Sequence, residues 1–266
     1  MTGNPFDLTD RTAIVTGAAR GLGRAIALGL AQQGANLALV DRDLTGAEEV
    51  ASEVRSLGRR GIAIECDIAD GAAVRRTVES VLQAFDRIDA LVNNAGITRR
   101  IPLFDWQPED WEEVIRINQV GPFLMAREVG RHMVASRSGS IVNVSALGGG
   151  IMGLGRGNAV YCMTKGAVAS LTRDLAAEWA SSGVRVNAIA PGWFRTEMNT
   201  PLLANAEVLG KIIDRVPLGR LGEPEDVVGP AIFLISDASA MITGHLLPID
   251  GGVSEIVKIS DEPVIR

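Results

Sequence analysis

Cysteine is nearly missing from this chain: Cys66 and Cys162 are the only two among 266 residues. They show no metal-ligand spacing, and they suit a reducing compartment in which buried thiols pack as small apolar side chains. Neither a disulfide nor a metal site is expected. No apolar run approaches the roughly 18 residues of a membrane span, and residues 1–11 lack the basic and apolar stretches of a secretory leader. A cytoplasmic protein without a membrane-bound segment is the expectation. Long blocks of Lys and Arg are also lacking, and the formal net charge is −6 with a pI near 5.1. That balance argues against nucleic acid and anionic membranes as partners, although a scattered arginine can still hold one small anion. No Pro/Ser-rich linker, internal repeat or low-complexity tract divides the chain, which predicts a single domain over residues 1–266.

What the chain does have is alternation. Short apolar, β-branched runs fall at 12–16, 36–40, 61–65, 88–92, 140–144, 184–189 and 245–249. Helical patterns separate most of them, at 21–33, 44–57, 72–84, 108–135, 159–182 and 224–236. Strands that are apolar on nearly every residue belong to parallel sheets covered by helices on both faces, so the fold class is α/β. Pro224, flanked by Glu223, Glu225 and Asp226, marks a helix start.

Between the first strand and first helix runs Thr16-Gly17-Ala18-Ala19-Arg20-Gly21-Leu22-Gly23. A glycine-rich turn there lets a dinucleotide pyrophosphate approach the N–H groups that open the helix; the competing reading is a merely tight turn. Asp41 ends the second strand, near the +20 position where a carboxylate accepts from the adenosine ribose hydroxyls. It predicts NAD in preference to NADP, because a 2′-phosphate beside it would be repelled. Arg20 and Arg42 leave NADP open, since either guanidinium is able to receive that phosphate. Asp67 follows the third strand as a candidate for the adenine amino group, and Asn93-Asn94-Ala95-Gly96 follow the fourth, with Asn93 read mainly as a structural tie.

Tyr161 and Lys165 are four residues apart in a helical segment and therefore share a face. An ammonium about 4 Å from a phenol, at an effective dielectric of about 20, would favour the phenolate by roughly 4 kcal/mol, or roughly 3 pKa units. A phenol so tuned exchanges protons with a substrate hydroxyl. The alternative is an ordinary amphipathic helix. His132 and His245 lie away from these motifs and receive no catalytic role.

In order, the glycine turn, Asp41, Asp67, Asn93 to Gly96, Asn118, Ser145, Tyr161-x-x-x-Lys165, Pro191-Gly192 with Thr196, and Ile249-Asp250-Gly251-Gly252 resemble the short-chain dehydrogenase/reductase family over nearly the whole chain. The resemblance implies a doubly wound, seven-stranded parallel sheet, with a cofactor half at about 8–145, a catalytic and substrate half at about 146–252 and a tail at 253–266. It implies a catalytic set in which Tyr161 exchanges the proton, Ser145 bonds the reacting oxygen, Lys165 holds the nicotinamide ribose, and Asn118 anchors a relay water. It implies a dinucleotide held also by Leu22, Ile68, Asn94, Ala95, Gly96, Pro191, Gly192, Phe194 and Thr196. Finally, it implies a homotetramer packed through the long helices after Pro108 and Ala159.

Within that family, residues 96–100, 214–220 and 244–252 look like gluconate 5-dehydrogenase and 2-deoxygluconate 3-dehydrogenase types, which act on sugar acids. An arginine just beyond the nicotinamide strand is placed to clamp a carboxylate, and the motif favours Arg100 over Arg99; the other reading is a surface arginine. The loop 146–158, with six glycines and Arg156, fits no one substrate signature. The segment 191–216 reads either as a cover over the substrate or as a surface excursion. A small-molecule alcohol or ketone is the expected substrate. A 3-oxoacyl-carrier-protein reductase is the nearest rival, and a non-catalytic dinucleotide-binding sensor is a rival of another class.

Overall fold

The computed structural model describes residues 3–150, 152, 155 and 157–257. Arg156 and the tail beyond 257 lie outside the described residues. Among the described residues seven strands run in chain order: β1 (Thr12–Thr16), β2 (Asn36–Asp41), β3 (Gly61–Glu65), β4 (Ala90–Asn93), β5 (Gly139–Val144), β6 (Val184–Pro191) and β7 (Leu246–Ile249). They form one parallel sheet in the order β3-β2-β1-β4-β5-β6-β7. The α-helices of the described residues are α1 (Gly21–Gln32), α2 (Leu44–Ser56), α3 (Gly71–Phe85), α4 (Pro108–Ile115), α5 (Gly121–Ser136), α6 (Ala159–Trp179), α7 (Thr200–Leu203), α8 (Ala206–Ile213) and α9 (Val228–Ile235).

Strand residues alternate between two cores. Val15, Leu37, Leu39, Val92 and Val142 pack with α1, α2 and α9 on one face. Ile14, Ala38, Val40, Leu91 and Ile141 pack with α3, α5 and α6 on the other. A strand buried on both sides carries an apolar side chain at most positions, which is why the runs read as nearly continuous. Asp43 and Asp70 cap α2 and α3, accepting from Gly46 N at 3.0 Å and from Ala72 N at 2.8 Å. The chain builds β1, β2 and β3 outward, then returns to place β4 on the other side of β1. Open parallel sheets bind ligands at such a reversal.

Two predicted helices are divided. Between α4 and α5 the chain makes a π turn over Arg116–Val120, with the Gly121 N–H reaching Arg116 O. Pro122 supplies the reason: it has no N–H for the carbonyl four residues back, and its ring would strike that carbonyl in a regular helix. The segment expected at 224–236 starts at Pro224 but opens as a 3-10 turn, Pro224–Val227, before α9. The Glu223 N–H donates to Asp226 Oδ2 at 2.8 Å at that start.

The 191–216 segment folds into a 3-10 turn (Glu197–Asn199), α7 and α8. Leu202, Ile212 and Leu221 give it a small apolar cluster of its own, with Trp193 packed against it. It is a helical flap at the carboxyl edge of the sheet, with Phe194 anchored in the main core.

Candidate active site

The carboxyl edge is assembled around close backbone approaches. A Cβ on Gly17 would sit 2.8 Å from Ala95 Cα, and one on Gly23 would sit 2.0 Å from Gly17 O. Glycine is therefore required for the turn to close and for β1 to nest against the loop after β4. Asn94 Nδ2 donates to Thr16 O and Gly17 O, both at 3.0 Å, while Thr16 Oγ1 accepts from Asn94 N at 3.0 Å and Ala95 N at 3.1 Å. Beneath them Asn93 Nδ2 donates to Asn143 Oδ1 at 2.9 Å, and Asn143 Nδ2 to Thr172 Oγ1 at 2.9 Å. Asn93 is thus a structural tie, as expected, joining β4 through β5 to α6.

α1 begins in this turn without a side-chain cap. Its first N–H groups and its positive dipole end face a cleft of about 250 Å³. That cleft is lined by Gly17, Arg20, Gly21, Leu22, Asp41, Arg42, Asp67, Ile68, Asn94, Ala95 and Gly96, and on its far side by Ser145, Tyr161, Lys165, Pro191, Gly192, Phe194 and Thr196. An uncapped helix start, a turn that only glycine lets close, and a carboxylate at one end fit a dinucleotide. Gly23 lies outside the lining, because its part is to let the turn close. Asn118 is also set back from the surface.

Asp41 Oδ2 accepts from Ala19 N and its Oδ1 from Asp43 N, both at 3.0 Å, which fixes the carboxylate against the glycine turn. Arg20 reaches across to Glu197 on the flap at 3.2 Å, whereas Arg42 makes no ion pair among the described residues. Asp67 pairs with Arg116 at 3.5 Å.

At the other end of the cleft Ser145 Oγ donates to Lys165 O at 2.8 Å, and Lys165 Nζ donates to Val144 O at 2.7 Å. Asn118, inside the π turn, accepts from Ile97 N and donates to Ile97 O, both at 2.8 Å, and donates to Thr164 Oγ1 at 3.3 Å. Gly96 leaves room for this: a Cβ there would stand 3.2 Å from Asn118 Oδ1 and 3.4 Å from Lys165 Nζ.

Tyr161 and Lys165 face one space, as their spacing predicts, but their electrostatics differ from the expectation. The ammonium lies 5.9 Å from the ring centroid, drawn to the Val144 carbonyl. Burial pushes the Tyr161 phenol up to about 12 and Lys165 down to about 8. The expected lowering of Tyr161 by Lys165 is not found in this form; the cation that lowers it is Arg100.

A second cavity of about 110 Å³ opens beside Tyr161, with Thr98, Arg100, Asn158 and Asn199 on one side and Trp193, Leu202 and Ile212 on the other. Arg99 is turned away into ion pairs with Asp110 at 3.2 Å and with Glu113. Arg100 is the arginine that reaches this cavity. The sequence reading missed Glu197, Met198 and Asn199, which line the main cleft directly after Thr196. Following the chain one more turn past the Thr196 motif would have found them. Neither His132 nor His245 lines either cavity.

A doubly wound parallel sheet whose reversal point holds a cleft that runs from a glycine turn and Asp41 to Ser145, Tyr161 and Lys165 defines a nicotinamide-dependent oxidoreductase. A family model described as enoyl-(acyl carrier protein) reductase, adh_short_C2, matches residues 17–254, and the chain belongs to the short-chain dehydrogenase/reductase family. It is 41% identical to a 2-dehydro-3-deoxy-D-gluconate 5-dehydrogenase from Pseudoalteromonas atlantica, over 93% of this chain and 97% of that protein. It is also 41% identical to a 3-oxoacyl-[acyl-carrier-protein] reductase from Synechocystis, over 92% and 98%. The crystal structure of a gluconate 5-dehydrogenase from Burkholderia cenocepacia, in complex with NADP and tartrate, superposes with a TM-score of 0.91 at 38% identity, covering 95% of this chain and 98% of that one. The protein is thus an NAD(P)-dependent enzyme acting on CH–OH groups. Among the described residues no helix is long and apolar enough to cross a membrane.

Proposed function

We propose that the protein interconverts a secondary alcohol and a ketone on a sugar acid, in the manner of a gluconate 5-dehydrogenase. The observation that carries this reading is Arg100, whose guanidinium reaches the small cavity against Tyr161 while its neighbour Arg99 is tied to α4. A guanidinium there gives a carboxylate a two-pronged partner and fixes which carbinol carbon lies beside the phenol.

Tyr161 is the proton donor and acceptor, and Ser145 Oγ hydrogen-bonds the reacting oxygen after its hydroxyl rotates away from Lys165 O. Lys165, held on Val144 O, bonds the nicotinamide ribose, and Asn118 keeps the loop at Ile97 in place and anchors a relay water. Pro191, Gly192, Phe194 and Thr196 wall the nicotinamide end, while Asp67 and Ile68 flank the adenine. When bound, the nicotinamide supplies the hydride acceptor, or the donor in reverse. A neutral phenol is ready to donate in the reducing direction. Oxidation requires its ionised form, so the oxidative rate rises with pH across the range in which the phenol ionises.

NAD is the preferred dinucleotide in this reading, because Asp41 is fixed where a 2′-phosphate would meet it and Arg20 is engaged by Glu197. Arg42 leaves NADP usable. Asp41→Ala shifts preference toward NADP, and an unchanged ratio of kcat/KM for the two cofactors removes the role of Asp41. Nicotinamide absorbance with a panel of sugar acids, polyols and acetoacetyl thioesters tests the substrate class. Turnover confined to the thioesters would favour the carrier-protein reductase, and no turnover at all the sensor. Tyr161→Phe keeps cofactor affinity and abolishes turnover.

The assembly in this reading is a homotetramer, with exposed Trp111, Phe123 and Met163 on the α4 to α6 helices covered by other copies; sedimentation analysis decides it. Its two free cysteines suit the cytoplasm.

A further inference from the structure

The flap supplies a residue that aims the arginine. Asn199 lies at the end of the 3-10 turn after Thr196, half-buried, and lines both cavities. Its Nδ2 donates to Phe194 O at 3.0 Å, and its Oδ1 accepts from Arg100 Nη2 at 3.1 Å. The amide has one usable orientation, since turning it over would set an NH2 group against the guanidinium and its oxygen against a carbonyl. Phe194 is 3% exposed and packed in the main core, so the amide is held from a rigid point. Arg100 also approaches Met198 O at 3.5 Å from the same turn. The guanidinium is therefore carried by the loop after β4 but aimed by the flap after β6, and it bridges the mouth of the small cavity.

We propose that Asn199 is a positioning residue for acid recognition: it orients Arg100 toward the substrate carboxylate and so couples binding of that carboxylate to the placement of the flap. This rests on the reading of Arg100 as the carboxylate partner. Asparagine suits the position because its amide oxygen accepts from the guanidinium without neutralising it. An aspartate would satisfy the same geometry but would hold the positive charge that the substrate needs.

The test compares an aldonate with the alditol of the same chain length in the holoenzyme. Each is measured as substrate or, if not turned over, as competitive inhibitor. Asn199→Asp lowers the aldonate-to-alditol ratio of specificity (kcat/KM, or inverse inhibition constant) about tenfold, chiefly through the aldonate KM or inhibition constant. Asn199→Ala lowers it by less, because it loosens Arg100 without supplying a competing charge. A merely structural role would weaken both ligands alike and leave the ratio unchanged, and that result in Asn199→Asp overturns the proposal. Arg100→Met separates the two ideas. If it lowers the ratio and Asn199→Asp does not, only the role of Asn199 fails; if Arg100→Met leaves the ratio unchanged, the sugar-acid reading fails and this inference with it.

Discussion

Tyr161 is the single tyrosine in the chain, so the near-ultraviolet signal of phenolate formation reports one group. Burial moves that phenol from 10.0 to about 12, which corresponds to about 3 kcal/mol against its ionisation. Lys165 is moved from 10.5 to about 8, again by burial. In the isolated protein the ammonium therefore loses its proton well before the phenol does, and a neutral amine gives the phenolate no charge to pair with. Arg100 is the cation that lowers Tyr161. A stopped-flow pH jump, read before alkaline unfolding sets in, is expected to place the wild-type midpoint near 12. Lys165→Met leaves that midpoint where it was, whereas Arg100→Met raises it. A wild-type midpoint below 10, or a clear rise in Lys165→Met alone, would refute the view that burial governs this tyrosine and that Lys165 is electrically silent toward it without cofactor.

Stability carries the same signs. The folded Lys165 value of about 8 lies below the unfolded 10.5, so its burial cost of about 3 kcal/mol is present in full below pH 8 and is relieved as the pH rises to 10.5. For Tyr161 the folded value is the higher, so stability falls from pH 10 to about 12. Urea unfolding at a series of pH values should show a maximum near pH 10, and Lys165→Met should flatten the rise toward it; a flat wild-type profile contradicts both burial shifts. Gly23→Ala, which sets a Cβ 2.0 Å from Gly17 O, should abolish dinucleotide binding in a fluorescence titration. Asn143→Ala removes the middle of the buried Asn93–Asn143–Thr172 chain and should cost about 2–3 kcal/mol in chemical denaturation.

The strands were legible because a sheet buried on both faces writes its burial into consecutive apolar residues. The glycine turn was legible because Gly17 and Gly21 take positive φ, at +64° and +55°, and Gly23 admits no side chain. The spacing of Tyr161 and Lys165 correctly put both on one side of α6. It could not say where a flexible four-carbon stem would send its ammonium, because the carbonyl that takes it belongs to Val144, on a strand remote in sequence. The 191–216 segment read as a cover or a surface excursion, but its first helical turns were hidden for a related reason: a 3-10 turn and a helix of four residues are shorter than any window in which periodicity is measurable. Asn118 was placed by its motif, but its setting in a π turn was not, since nothing in the pattern of 108–135 marks the extra residue except Pro122.

That extra residue has a rotational consequence. Each residue of an α-helix advances the azimuth by about 100°, so one additional residue in a turn swings everything downstream around the axis by nearly that amount. α4 and α5 therefore present differently phased stripes although they form one continuous rod. α5 keeps Met125, Val129 and Met133 on the sheet, and the widened turn aims the Asn118 amide at Ile97. Excising a single residue from Arg116–Val120 would yield a smoother cylinder, but only by dialling one of those two faces out of alignment.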